Sequence, residues 1–338
     1  FDWSLPYPSR RQPVLARNVV ATSQPLATQA GLAMLARGGN AVDAAVATAI
    51  TLAVVEPVSN GIGSDLFAIV WDGRELAGLN ASGRAPAAAT AARYAREAAM
   101  PQRGWEAVTI PGAVSGWVAL STRYGRLPFA DLFEPAIRYA RDGWLVSPVI
   151  AAQWQRAAEI LPHDLGYAEH FLPKGRSPRA GEAFACAPIA TSGGEAFYRG
   201  ELARAMAGDA KRHGALLTVE DFARHACDWV TPLGFDYRGT TVHEIPPNGQ
   251  GIAALIALGI LQALGPSNDA PDSVAAQHRA IEAMKIAFAD TYRYVADRAH
   301  MKVPPDAMLE PGYLATRAKL IDPARAQGDR GRACERGL

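Results

Sequence analysis

The chain is poor in cysteine: three occur in 338 residues, and Cys186, Cys227 and Cys334 stand far apart. An odd, sparse set excludes a disulfide framework, and the lack of any C-x-x-C pair removes a zinc ribbon and a dithiol redox centre. The seven histidines are scattered singly, without H-E-x-x-H or an i, i+4 pair, so neither a metal nor another cofactor is expected. Charge of one sign is not in excess either. Lysine and arginine number 34 against 33 acidic residues, a net of +1, and no dense basic stripe offers nucleic acid a field. Long hydrophobic runs are missing too: the longest, 44–55 and 251–264, fall short of the ~20 residues that span a bilayer. A soluble protein with no membrane partner is expected. Phe1-Asp2-Trp3-Ser4 leads into Pro6, Pro8, Arg10 and Arg11 without the apolar core of a signal peptide. A cytoplasmic location is therefore expected, with periplasm or secretion as the alternative if a leader has been removed.

What is present is a globular composition, 49% hydrophobic and 20% charged, which buries enough apolar surface to exclude disorder of the whole. The length allows two average domains or one large α/β domain. Ser23-Gln24-Pro25 reads as a helix start, with Ser23 as cap and Pro25 in the first turn. That helix covers 26–37 and stops at Gly38-Gly39. Asn40 caps a second helix, 41–55, Ala-rich nearly all round and therefore buried. Pro57 ends it, and a turn-rich loop runs from Val58 to Asp65. Six apolar residues without alternation, 66–71, predict a strand covered on both faces, and Asp72-Gly73 turns it into a returning strand over 75–80. A hairpin covered on both sides calls for helical layers above and below, an α/β architecture.

Further helices are predicted over 112–124, 129–142 and 149–160, with a capped entry at Thr218 and Asp221. A strand over 240–245 meets a turn from Pro246 to Gly251, followed by a helix over 252–264. Between 273 and 297 lies the clearest amphipathic helix. Ile281, Met284, Phe288, Tyr292 and Val295 form its expected buried stripe. Asp290, Arg293 and Asp297 read as a solvated ladder of ion pairs. From Asp322 onward the chain is polar and Arg/Gly-rich, and 322–338 is expected to be a mobile tail.

Generic catalytic motifs are absent. There is no G-x-S-x-G elbow and no phosphate loop, and Gly61-x-Gly63 is not completed because position 66 is Leu. The residues alone give an α/β protein without a self-contained catalytic set.

Several runs nevertheless resemble one family in order along nearly the whole chain. They are Ala21-Thr22-Ser23-Gln24-Pro25-Leu26-Ala27, then Gly38-Gly39-Asn40-Ala41-Val42-Asp43-Ala44-Ala45, then Val55-Glu56-Pro57 with Gly61-Ile62-Gly63. Gly83-Arg84-Ala85-Pro86, the run 110–117 and the run 282–290 complete the set. Together they resemble the large subunit of the γ-glutamyltranspeptidase family. The resemblance implies an N-terminal-nucleophile hydrolase with a four-layer αββα sandwich, made as one precursor that cuts itself in two. Residues 1–338 would form a single domain, the large subunit, completed by a small (β) subunit, with the tail beside the processing site. The nucleophile would be the threonine that begins the small subunit, so no catalytic residue is expected in this chain. Self-cleavage has a chemical reason: a free α-amine has a pKa near ~8 and accepts the hydroxyl proton, which a peptide nitrogen does not. The substrate would be a small-molecule amide.

The resemblance also implies a role for the large half: in true γ-glutamyl enzymes it supplies an arginine, from an Arg-Glu-x-Ala-Pro motif, that holds the substrate α-carboxylate. The corresponding run here is Ser82-Gly83-Arg84-Ala85-Pro86, with Ser82 and Gly83 at the usual Arg and Glu positions. Arg84 stands two places later, about 6.6 Å along an extended segment. It either serves an anionic substrate of different length or makes an ion pair that locks the hairpin exit. Ser64 and Asn60, with Ser59, Gly63 and Asp65, either line the substrate pocket or form the turn into the strand; Asp65 reads as a local cap. In the Pro246–Gly251 turn, Asn248 and Gln250 replace members of a family Pro-Pro-Ser-Ser-Gly-Gly element, and a structural role is favoured. The variant motifs look most like the family's amidohydrolases of the oxamate and cephalosporin-acylase types. A true γ-glutamyltransferase or glutathione hydrolase is the alternative, and a non-enzymatic member is a third.

Overall fold

A computed structural model describes residues 14–95, 99–161, 166–186, 195–270 and 272–328. The expected opening segment 1–13, Cys334 and the end of the tail, 329–338, lie outside the described residues. In chain order the helices are α1 (Pro25–Ala36), α2 (Ala41–Val55), α3 (Ala91–Tyr94), α4 (Ala113–Tyr124), α5 (Glu134–Asp142), α6 (Pro148–Ile160) and α7 (Tyr167–Phe171). Then come α8 (Glu195–Tyr198), α9 (Glu201–Arg212), α10 (Val219–Arg224), α11 (Ile252–Ala263), α12 (Val274–Tyr294), α13 (Pro305–Met308) and α14 (Pro311–Ala318). The strands are β1 (Leu66–Trp71), β2 (Leu76–Ala81), β3 (Trp144–Leu145), β4 (Ala183–Phe184), β5 (Asp228–Val230), β6 (Leu233–Tyr237) and β7 (Thr240–Glu244). They fall into two compact units: Phe1–Leu66 with Ala81–Cys227, and Phe67–Asn80 with Asp228–Leu338.

In the first unit, side chains at the helix ends determine where the helices begin. Gln24, not Ser23, caps α1 by accepting from the Leu26 N–H, with Pro25 next. The expected cap is displaced by one residue because the Ser23 hydroxyl donates instead to Glu56, at 2.6 Å. Asn40 caps α2 as expected, and the Asp43 carboxylate accepts in turn from the Asn40 N–H. Asp43 is fully buried and also accepts from the Arg126 N–H at 3.1 Å, pinning the start of α2 to the loop after α4. The small residues of α1 and α2 let the helices meet closely: a Cβ at Gly31 would strike the Thr48 hydroxyl and the Ala44 carbonyl. Trp154 stacks edge-on against Phe184, 4.8 Å between centroids, beside the antiparallel β3–β4 pair.

The second unit holds a three-stranded sheet in the order β1-β2-β5 and a β6–β7 hairpin. The turn between β1 and β2 is chemical: the Asp72 carboxylate accepts from the N–H groups of Arg74 and Glu75, and Gly73 takes φ +95. Strand β1 departs from expectation. Its residues alternate, with Phe67, Ile69 and Trp71 exposed by 43%, 39% and 63%, so this chain covers one face only. An unbroken apolar run reports that both faces are apolar, not which element covers each.

The core of this unit is α11 against α12 and α14, with Ile252, Ile256 and Ile260 buried among Ala283, Ile286, Ala287 and Leu314. Here the expected stripe of α12 is wrong. Ile281, Met284 and Tyr292 are exposed, Phe288 and Val295 pack at the margin, and the buried face is Glu282, Ala283, Ile286, Ala287, Asp290 and Thr291. Because α11 is apolar nearly all round, the closest approach selects small residues on α12 over large ones. The solvated ladder fails too. Asp290 is fully buried and holds Arg317 of α14 with two bonds, 2.6 and 3.0 Å, while Arg293 and Asp297 are exposed. The described start of the tail is tied to α12: His278 Nε2 donates to the Asp322 carbonyl at 2.8 Å, and the Gln327 N–H to Glu282 at 3.2 Å. No described helix is long and apolar enough to cross a membrane.

Candidate functional site

The loop bearing Asn60 and Ser64 begins where α2 ends. Glu56 is buried there, and its carboxylate accepts from the Ser23 hydroxyl at 2.6 Å and from Asn60 Nδ2 at 3.2 Å. Beyond Asn60 the chain turns tightly: the Gly61 N–H donates to Ser64 Oγ at 3.0 Å and the Ser64 N–H to the Gly61 carbonyl at 3.1 Å. The Ser64 carbonyl then accepts from the N–H groups of Gly112 (3.1 Å) and Ala113 (2.8 Å). Those N–H groups belong to the start of α4, where a helix leaves donors without internal partners.

The Ser82-Gly83-Arg84 segment meets the same stretch. The Ile110 N–H donates to the Arg84 carbonyl at 3.0 Å, and the Gly83 N–H donates to Asp65 Oδ1 at 3.2 Å. The backbones run so close that a Cβ at Gly83 would overlap the Ile110 carbonyl, and one at Gly112 the Ala81 carbonyl. Glycine is required at both positions. Ser64, Ser82 and Arg84 are therefore gathered around residues 110–113, Ser64 and Ser82 half-buried and Arg84 exposed. Arg84 Nη1 points to the Ala226 carbonyl at 3.5 Å, the long end of hydrogen bonding. Asn60 is anchored separately, through Glu56.

Three residues to which the sequence assigned no role join this stretch. The Tyr198 hydroxyl donates to the Pro111 carbonyl at 2.6 Å and accepts from the Ser115 N–H at 3.1 Å. Ser115 Oγ lies 2.7 Å from the Gly112 carbonyl and 2.9 Å from His225 Nε2. The imidazole of His225, 8% exposed, stacks on the Tyr198 ring at 5.0 Å. Burial pushes the Tyr198 phenol up, so it stays a donor. Ser115 and His225 are 110 residues apart, a separation at which no local pattern pairs them.

The first unit also holds a partly open pocket of about 360 Å³, bounded by Ile50, Asn60, Trp117, Phe133, Ile137 and Cys186 among others, with no charged side chain in its lining. Burial raises the Cys186 thiol. In the second unit Asn80 Nδ2 donates to Asn248 Oδ1 at 2.8 Å, which ties the Pro246–Gly251 turn to β2. Among the described residues no three His, Cys, Asp or Glu side chains group as a metal site.

The family model described as Gamma-glutamyltranspeptidase matches residues 27–336. The chain is 37% identical over 320 residues to the oxamate amidohydrolase proenzyme of Klebsiella pneumoniae, covering 89% of this chain and 59% of that protein. It superposes on the cephalosporin acylase of Bacillus halodurans with TM-score 0.88 and 46% identity, over 95% of this chain and 63% of that one. A γ-glutamyltranspeptidase from Pseudomonas nitroreducens gives TM-score 0.84 and 29% identity, over 94% of this chain and 98% of that one. The α/β fold is thus that of N-terminal-nucleophile hydrolases. The chain spans about 60% of the length of the curated relatives it matches.

Proposed function

Since this chain belongs to the γ-glutamyltranspeptidase family, we propose that it is the large subunit of a two-chain amidohydrolase acting on a small carboxylate-bearing amide of the oxamate type. One observation supports the reading: the segment carrying Ser82 and the exposed Arg84 and the separate loop carrying Ser64 are both held, through backbone contacts, to residues 110–113. A guanidinium suits a carboxylate because its fork bonds both oxygens at once. Ser82 and Ser64 offer hydroxyls, and Asn60 an amide, for the rest of a small polar substrate. Separate support comes for a partner. The relatives are named proenzymes of which this chain spans about 60%, whereas it covers 98% of the Pseudomonas transpeptidase chain. The open face of Phe67, Ile69 and Trp71 is apolar surface suited to a covering subunit.

The proposed reaction needs the partner's N-terminal threonine. Its α-amine takes the hydroxyl proton, and the oxygen adds to the amide carbonyl. The tetrahedral oxyanion collapses with cleavage of the C–N bond, and the amine leaves with the proton. Water then adds to the acyl ester and releases the acid, restoring the threonine. Arg84 contributes by holding the substrate anion in place during both steps.

A second reading, an acylase for a bulkier acyl group, is favoured by the uncharged pocket beside Asn60. An amidase screen of the two-chain protein with oxamate, γ-glutamyl-p-nitroanilide, glutathione and glutaryl amides separates the readings. For the preferred one, Arg84→Ala should raise KM for oxamate about 10- to 100-fold, the cost of a charged hydrogen-bond pair, while precursor cleavage proceeds. An unchanged KM would leave Arg84 structural.

A further inference from the structure

We propose that His225 is a positioning residue for the substrate-anion site, acting through Ser115 and Ala226 on the backbone that holds Ser64 and Arg84. The proposal rests on the reading of Arg84 as anion ligand and adds what keeps that ligand in place.

Proton accounting determines the direction of the bonds. Ser115 Oγ lies within reach of both the Gly112 carbonyl, at 2.7 Å, and His225 Nε2, at 2.9 Å. A hydroxyl has one proton and a carbonyl only accepts, so that proton goes to Gly112. Oγ must then accept from His225, which carries its hydrogen on Nε2. Nε2 keeps that hydrogen in the neutral tautomer and in the imidazolium alike, so the bond persists whichever is present. By the same reasoning the Tyr198 proton goes to the Pro111 carbonyl, and the phenol oxygen accepts the Ser115 N–H. Two hydrogen-bond chains therefore end on consecutive carbonyls, those of Pro111 and Gly112.

Those carbonyls lie within the stretch whose N–H groups hold Arg84 and Ser64. Peptide groups are planar, so fixing the carbonyls of 111 and 112 fixes the N–H of Gly112 and Ala113 as well. Both of these donate to the Ser64 carbonyl. The next residue after His225 acts on the guanidinium itself, since Ala226 offers its carbonyl to Arg84 Nη1 at 3.5 Å. Cys227 closes the grip, with its thiol 3.9 Å from the Ser115 carbonyl. Three consecutive residues thus connect to both the helix start and the arginine. Stacked on Tyr198 and 8% exposed, the imidazole has little room to change its aim.

A merely structural histidine would affect stability and all substrates alike; a positioning one affects substrates that carry an anion. The test uses the two-chain enzyme with oxamate and with oxamide, its neutral isostere, or the same acid–carboxamide pair of whichever carboxylate substrate the screen returns. His225→Leu should raise KM for the carboxylate substrate about tenfold and leave kcat and the KM for its carboxamide within about twofold. His225→Gln, whose amide N–H reaches as far as Nε2, should restore most of the affinity. Ser115→Ala keeps the stack on Tyr198, removes only the relay, and should shift KM in the same direction; it serves if His225→Leu does not fold. An unchanged carboxylate KM in Ser115→Ala, or equal losses for both substrates, overturns the proposal. Arg84→Ala run alongside separates the failures. If it alone raises KM, the positioning role falls and the arginine reading stands. If neither moves KM, or no carboxylate-bearing amide is turned over, both fall.

Discussion

Replacing Arg317 by Met should be among the most damaging single changes in the second unit, although it lies in no candidate site. Asp290 is fully buried and Arg317 is 6% exposed, joined by bonds of 2.6 and 3.0 Å. Unit charges about 4 Å apart at an effective dielectric of 20 attract by about 4 kcal/mol. Withdrawing each ion from water costs several kcal/mol, so the intact pair is near break-even. Removing one partner changes the balance. Arg317→Met keeps the stem but leaves the Asp290 carboxylate buried against the Tyr313 phenol, already pushed up by burial and by Asp290. The expected cost is about 3–5 kcal/mol. Adding Asp290→Leu should return stability to within about 1.5 kcal/mol of the parent, a coupling of at least 2 kcal/mol between the two sites. Guanidinium unfolding followed by circular dichroism measures all four proteins of the cycle. A single-mutant cost under about 1 kcal/mol, or simple additivity in the double mutant, would show that Asp290 and Arg317 are not coupled.

Asp43→Ala removes a carboxylate that accepts from the N–H groups of Asn40, Arg126 and Leu127, and should cost about 2–4 kcal/mol in the same assay, with Asp43→Asn intermediate. Gly83→Ala forces a Cβ into the Ile110 carbonyl; it should lower stability by about 1–3 kcal/mol and raise KM for a carboxylate substrate, whereas unchanged kinetics would detach the segment from the site. Burial works to raise the Glu282 carboxyl, but the Lys285 ammonium and the Gln327 N–H outweigh it and hold it below its ordinary value. A depressed carboxyl stabilises above the unfolded pKa and loses that contribution as pH falls through the folded one. Urea midpoints should therefore fall less steeply below about pH 4.3 in Glu282→Gln than in the parent.

The candidate site was half legible. The Gly61-Ile62-Gly63 and Ser82–Pro86 runs marked Ser64, Ser82 and Arg84, since motifs of this kind are continuous in sequence. That these residues meet at 110–113 was not legible, because the bonds joining them connect peptide groups, which every residue carries. His225 left no signal at all: a single histidine has no period, and its partner Ser115 lies 110 residues away.

Short-range chemistry was readable from the residues: the Asn40 and Thr218 caps, the turn at Asp72-Gly73, the burial of the Ala-rich α2 and the motifs shared with the family. Only packing selected which face of α12 is buried, paired Asp290 with Arg317 and left Phe67, Ile69 and Trp71 of β1 open. Caps and turns are settled by bonds within about four residues. Burial depends instead on which surface arrives from a distant part of the chain, and hydrophobic periodicity does not identify that surface.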